Sequence, residues 1–204
     1  MKQIVFTRYG EPSTSIMDVY TNTNATVFVY DRGSKKLELP SDSRLIHVHD
    51  ENRGREEGGY LRHIIDNYDT ISGTVVFSQA LNDNHSSHFT LDGNFSDWVN
   101  SLDNPVYKSY ITRELNCSRD GSPWHMGLPL EAGWNHIFGS QPMPYQFNFF
   151  PCGIFATNAD TIRKNSKEFY QNILDLVSRP ENCVIHSGLQ LPWCLERFWG
   201  YIFA

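Results

Sequence analysis

Apolar and polar positions divide the first 80 residues into a regular series. KQIVFT (2–7) is an apolar run of strand length, followed by the turn-like RYGEPSTS and a short helical stretch near 15–20. ATVFVYDRG (25–33) predicts a second strand, closed by Arg32-Gly33, and RLIHVHD (44–50) a third that alternates inside and outside. A helix follows over 55–69, where Leu61, Ile64, Ile65 and Tyr68 recur at the spacing of one buried face. TVVFSQ (74–79) predicts the fourth strand. Nearly continuous apolar strands, joined by helices and short connections, imply an α/β fold with a central, mostly parallel sheet covered on both faces.

Beyond residue 90 the pattern weakens. SDWVNSL (96–102) reads as a short helix capped by Ser or Asp, and YKSYITREL (107–115) as a strand. The stretch 117–145 is rich in Gly, Pro, Trp and His and reads as a long loop, which is usually functional in a compact domain. QFNFFPCGIFATN (146–158) resumes strand character, and helices are expected over 159–165, 166–178 and 192–203. The absence of repeats and of a boundary predicts one domain over 1–204.

Composition narrows the function. The chain has 204 residues, 40% hydrophobic and 20% charged, with a formal charge of −6. No basic block is present, so a duplex nucleic acid partner is not expected. The N-terminal apolar run is too short for a signal peptide, and no run approaches the ~20 residues of a membrane span. The four cysteines, at 117, 152, 183 and 194, lack C-x-x-C spacing. They predict free thiols and a cytoplasmic protein (host cytoplasm if viral). The four N-x-S/T sequons, at Asn24, Asn84, Asn94 and Asn116, are then incidental.

In an open parallel sheet, ligands bind beyond the carboxyl ends of the strands. Those ends carry the polar clusters: Thr7-Arg8-Tyr9, Tyr30-Asp31-Arg32, His49-Asp50, and Gln79 with the crowded segment LNDNHSSH that follows it. Arg8 sits where a nucleotide base or phosphate would lie. Arg53 and Arg55 precede a helix whose first turn contains Gly58 and Gly59. A glycine pair there suggests close approach, and a helix N-terminus with arginines suits a diphosphate or a nearby acid. Asp83 supplies a carboxylate for a hard divalent cation, helped by Asn82, Asn84 or His85. Glu196, among apolar neighbours in the last helix, must be paired or have a raised pKa. The adjacent Arg197 points about 100° away around the helix and makes a poor partner. Glu196 is therefore a candidate general base, with a structural ion pair as the alternative.

Several blocks are shared with known families. NRGREEGGYLRHIIDNYD resembles the N-x-G-R-E-x-x-x-Y-L-x-x-I-I-x-x-Y-D block of a family spread among fungi, bacteria and large DNA viruses. IVFTRYGE, VFVYDRG, KEFYQNILDLV and LERFWGYIF resemble that family's other blocks, in order. The chain also resembles the small GT-A-type domain of the three-domain capsid-glycan glycosyltransferases of chloroviruses, assigned as a β-L-rhamnosyltransferase. This resemblance implies a metal-dependent transferase with a UDP-sugar donor (rhamnose, with glucose an alternative), a glycan acceptor, and Mn²⁺ or Mg²⁺. It implies that Thr7, Arg8, Tyr9 and Asp31 hold the uridine side, and that Gly153 opens a glycine element near the donor sugar. The Asp83 region would replace the D-x-D metal motif, from which it departs in having one Asp. Glu196 would stand in the place of the late acidic motif that supplies the base. Arg55 and Gln79 complete the expected donor site, and Trp124, His125, Trp134 and His136 are expected on a loop closing over donor or acceptor. Two rivals are a zinc-dependent hydrolase built on His47, His49, His85 and His88, and a non-catalytic carbohydrate-binding module with aromatic platforms.

Overall fold

A computed structural model describes residues 1–33, 37–80, 93–122, 125–184 and 188–204. Strands β1 (Lys2–Arg8), β2 (Thr26–Asp31), β3 (Leu45–His49) and β4 (Thr74–Gln79) are parallel neighbours. Together with β5 (Tyr107–Ser109) and an antiparallel strand near the C-terminus, Phe155–Asn158, they form a six-stranded mixed sheet. Across it the four parallel strands run β3-β2-β1-β4, and Phe155–Asn158 separates β4 from β5.

The chain therefore moves outward from β1 to β3, then crosses back through helix α2 (Arg55–Asn67) to lay β4 on the other side of β1. The strand order reverses between β1 and β4, and such a reversal opens a crevice at the carboxyl ends. Register sets what lines it. Thr7 is paired with both Tyr30 and Gln79, and Arg8 with Asp31 in the next row.

Alternation along β1 feeds two cores. Val5 faces one that includes Tyr60, Leu61 and Ile64 of α2, Tyr170, Trp199 and Phe203. Ile4 and Phe6 face another, with Ile16 and Val19 of α1 (Thr14–Asn22) and Phe95, Trp98 and Val99 of α3 (Phe95–Ser101). Burying one large apolar side chain contributes about 1.5–3 kcal/mol, so these two layers account for most of the hold on the sheet. The α3 helix is capped by Asn94, whose side chain accepts from the amides of Ser96 and Asp97. The cap thus lies two or three residues earlier than the Ser or Asp expected from sequence.

The middle third departs most from expectation. The run 107–115 holds only the three-residue β5, and a second strand, β6 (Leu115–Ser118), begins where the run ends. β6 belongs to a four-stranded antiparallel sheet with β7 (Gly121–Ser122), β8 (His125–Met126) and β9 (Gln146–Phe149). The apolar stretch 146–158 is accordingly split. β9 ends in this small sheet, a 3-10 turn over Pro151–Gly153 intervenes, and β10 (Phe155–Asn158) enters the large sheet. Helix α4 (Leu130–Phe138) lies inside the expected loop, and its Trp134 is core, not lid. Trp134 is 1% exposed, packs on Phe138, Phe198 and Tyr201, and donates its indole N–H to Gln141 O. The chain continues through α5 (Ala159–Ile162) and α6 (Lys167–Val177), and closes with α7 (Leu191–Ile202).

Candidate functional site

The glycine pair of α2 answers to the chain itself. A Cβ on Gly59 would lie 2.1 Å from Thr7 Cγ2, and one on Gly58 would lie 2.1 Å from Arg53 O. The helix is thereby seated directly on β1, and no ligand is needed to explain either glycine. Its first turn is held by Arg32, at the end of β2. The Arg32 guanidinium donates to the carbonyls of Glu51, Arg53 and Arg55, and its Nε lies 3.2 Å from Asp50 Oδ2. Arg55 has φ +53°, a region that non-glycine residues seldom occupy. The Arg32 clamp on its carbonyl keeps it there, the over-determination that such a conformation requires. As a result the Arg55 side chain projects over the sheet's carboxyl end, with Cζ 5.0 Å from the centre of the Trp193 ring.

Two cavities meet at this point. One, of about 380 Å³, is lined by Thr7, Arg8, Tyr9, Arg32 and Asn52. The other, of about 320 Å³, is lined by Glu57, His125, Cys152, Trp193, Glu196 and Arg197. Arg55, Glu56 and Gln79 line both, so the two form one elongated cleft. Its first arm gathers the side chains of Arg8, Arg32 and Arg55 with that of Glu11. Its second arm holds the carboxyl groups of Glu57 and Glu196 with the guanidinium of Arg197.

Arg8 is 4% exposed and its Nη1 donates to Asp31 Oδ1 at 2.6 Å, while its Nε donates to Glu11 O. Asp31 does not line the cleft. It stands behind Arg8 as the buried counter-charge, which corrects its expected place against the ligand. Thr7, Tyr9, Arg55 and Gln79 line the cleft, and the Thr7 hydroxyl oxygen is buried with no hydrogen-bond partner. Gly153 is buried with φ +57°, one residue behind the lining residue Cys152.

Glu196 is paired, and its partner corrects the sequence argument. Arg197 Nη1 reaches back to Glu196 Oε2, because a long side chain can fold across the angle that separates two Cβ directions. Cys152 N donates to Glu196 Oε1 at 2.6 Å. Arg197 is itself buried, donating to Ser122 Oγ and Trp193 O and lying over the Phe149 ring. Its Nη2 is 3.0 Å from His125 Nδ1. Arginine can only donate, so the His125 proton on this side is absent and resides on Nε2. The Cys152 thiol, pushed up to about 12 by burial and then by Glu196, is not a nucleophile at neutral pH.

Glu57 was missed from sequence, although the signal was there. The buried stripe Leu61, Ile64, Tyr68, extended one turn back, lands on Glu57. Its side chain is buried and its Oε2 has no hydrogen-bond partner. Burial above all, then the neighbouring Glu56 carboxylate, raises its pKa well above the usual carboxylate range. Burial thus favours its neutral, carboxylic acid form.

Asp83, His85, His88 and Trp124 lie outside the described residues. His47 Nε2 is 3.4 Å from Asp31 Oδ2 on the edge strand, His49 is exposed, and His136 is exposed on α4. Among the described residues no group of three or more His, Cys, Asp or Glu side chains is placed to hold a metal ion. No helix among them is long and apolar enough to cross a membrane.

Fold and cleft define an α/β protein with a mixed six-stranded sheet and a charged crevice at its topological switch point. The chain belongs to the family described as "Protein of unknown function (DUF3431)", which matches residues 4–204. No curated protein and no solved structure matches it.

Proposed function

We propose that this protein is a glycosyltransferase that moves a hexose, rhamnose or glucose, from a UDP-sugar to a hydroxyl of a glycan acceptor. The observation that carries the reading is the polarity of the cleft. Arg8, Arg32 and Arg55 line one arm with Glu11; Glu57 and Glu196 line the other with Arg197; and Arg55, Glu56 and Gln79 are shared, so the excess of arginine lies at one end. A nucleoside diphosphate sugar has the same polarity, an anionic diphosphate followed by a neutral ring. The resemblance to GT-A domains supports the same assignment.

Thr7, Arg8 and Tyr9 would contact the nucleotide, and Arg55 the diphosphate, where a planar guanidinium makes paired contacts to oxygen. Glu196 would take the acceptor proton, and Glu57, whose burial favours the neutral acid, would donate to an oxygen of the donor sugar. A divalent cation, Mn²⁺ or Mg²⁺, is proposed on sequence grounds alone, with Asp83 as its protein ligand. When bound it supplies Lewis-acid stabilisation of the departing diphosphate. The described residues offer no metal-ligating set of their own. Four free thiols fit a reducing cytoplasm.

Calorimetry with UDP, GDP and CMP, each with and without Mn²⁺, tests the reading. UDP is expected to bind best, and Glu196→Gln to retain UDP affinity while losing roughly 10²–10⁴ in kcat. Equal affinity for all three nucleotides, or none, refutes it.

A further inference from the structure

Glu196 lines two cavities, not one. The second is a smaller space of about 190 Å³, lined by the aromatic residues Tyr107, Phe149, Phe150 and Tyr201 together with Asn148 and Arg197. Trp193, Glu196 and Gly200 follow one another at helical spacing, so a single stripe of α7 runs from the cleft, past the carboxylate, into this aromatic space.

Gly200 is the informative residue. It sits inside a helix, where glycine is unfavourable relative to alanine. Packing does not require it: a Cβ there would approach nothing closer than Tyr107 Cε1, at 3.7 Å, an ordinary contact. Its backbone has no positive φ. What the missing side chain does is leave the space open. Four aromatic residues with a few polar groups, Asn148, Glu196 and Arg197, suit a flat molecule with C–H faces and peripheral hydroxyls. The volume is below the ~300 Å³ of a drug-sized pocket, which suits one ring of a chain whose remainder stays outside.

We infer that this space is the acceptor subsite, taking one pyranose unit of a glycan between the aromatic rings with its nucleophilic hydroxyl at Glu196. The inference rests on the glycosyltransferase reading and adds to it the chemical class and the approach of the acceptor. Donor and acceptor would then meet at one carboxylate that lines both spaces. The acceptor O–H gives its proton to Glu196, and its oxygen forms the new bond to the anomeric carbon. The bond from that carbon to the diphosphate oxygen breaks, and its electron pair leaves with UDP.

Gly200→Leu should fill the space, and Gly200→Ala should narrow it without a clash. Saturation-transfer NMR with a panel of methyl pyranosides, run beside UDP calorimetry, reads both arms of the site. The wild type is expected to give saccharide signals. Gly200→Leu should weaken them at least tenfold with UDP affinity unchanged, and Gly200→Ala should weaken them less and melt no lower than the wild type. Normal UDP binding with saccharide signals that are absent, or equal in all three proteins, overturns the subsite and leaves the transferase reading standing. Failure of the wild type to bind UDP overturns both.

Discussion

Replacing Asp31 by alanine tests whether the cationic arm of the cleft is held from behind. Arg8 and Asp31 have side-chain exposures of 4% and 5%, and their charged atoms are 2.6 Å apart. Removing one member of a buried pair typically costs ~3–5 kcal/mol, because the other charge is left uncompensated. Arg8 keeps its bond to Glu11 O, so the lower end, about 3 kcal/mol, is expected. Protein stabilities run ~5–15 kcal/mol, so the variant should still fold. Urea denaturation should show a lower midpoint at unchanged slope, and melting should fall by roughly 6–12 °C. Asp31→Asn, which keeps a neutral acceptor, should lose less. Replacing both residues by apolar ones of similar volume should recover much of the loss. The pair lies out of solvent, so 1 M salt should change the result little. A loss under about 1 kcal/mol, or one that salt abolishes, would refute the assignment of Asp31 as a buried counter-charge and return it to the ligand site.

Two further predictions concern pH. His63 is fully buried in α2, bonded to Tyr30 and Gln3, and burial lowers its pKa from 6.5 to about 3. Its folded pKa is the depressed one, so its contribution is present above pH 6.5 and is lost as pH falls toward 3, at ~1.4 kcal/mol per pH unit. Urea unfolding between pH 7 and 4 checks this, and a His63→Gln variant with the same slope as the wild type would contradict it. Glu57 has the opposite sign. Its folded pKa is raised, so stability is greatest below ~4.3 and declines as pH climbs toward the folded value. Glu57→Gln should therefore be at least ~1 kcal/mol more stable than the wild type at pH 8 and equal to it near pH 4. Equal stability at both would show that the carboxyl is not desolvated.

The large sheet was legible because its signals are local. Apolar runs of strand length need no partner to be recognised, and their polar ends announce which side the cleft is on. Helix α2 was legible through its stripe of Leu61, Ile64 and Ile65. The small sheet was not. Its strands are two to four residues long, and β6 pairs with β9 across a stretch containing a whole helix. No period survives in strands that short, so composition stood in for structure and turned Trp134 into a lid. Asp31 shows a different limit: register places it beside Arg8, and only burial tells a ligand contact from a counter-charge.

The helical wheel explains both what was right and what was wrong about the last helix. It orders Cβ directions, and by that measure Glu196 and Arg197 diverge. Yet a guanidinium lies several bonds beyond its Cβ, and Arg197 spends that reach on Trp193 O, Ser122 and Glu196 together. A buried arginine with several acceptors is a fixed post, and the carboxylate fastened to it is positioned as firmly as a backbone group. Cys152 N, in a turn kept tight by the left-handed conformations of Cys152 and Gly153, fixes its other oxygen. Glu57 faces the same cavity without any such partner on Oε2. Glu196 and Glu57, in one cavity, thus differ in what surrounds them, one bonded by the protein on both oxygens and one with an oxygen left without a partner. That asymmetry comes from placement, a first-turn position on α2 and a mid-helix position on α7.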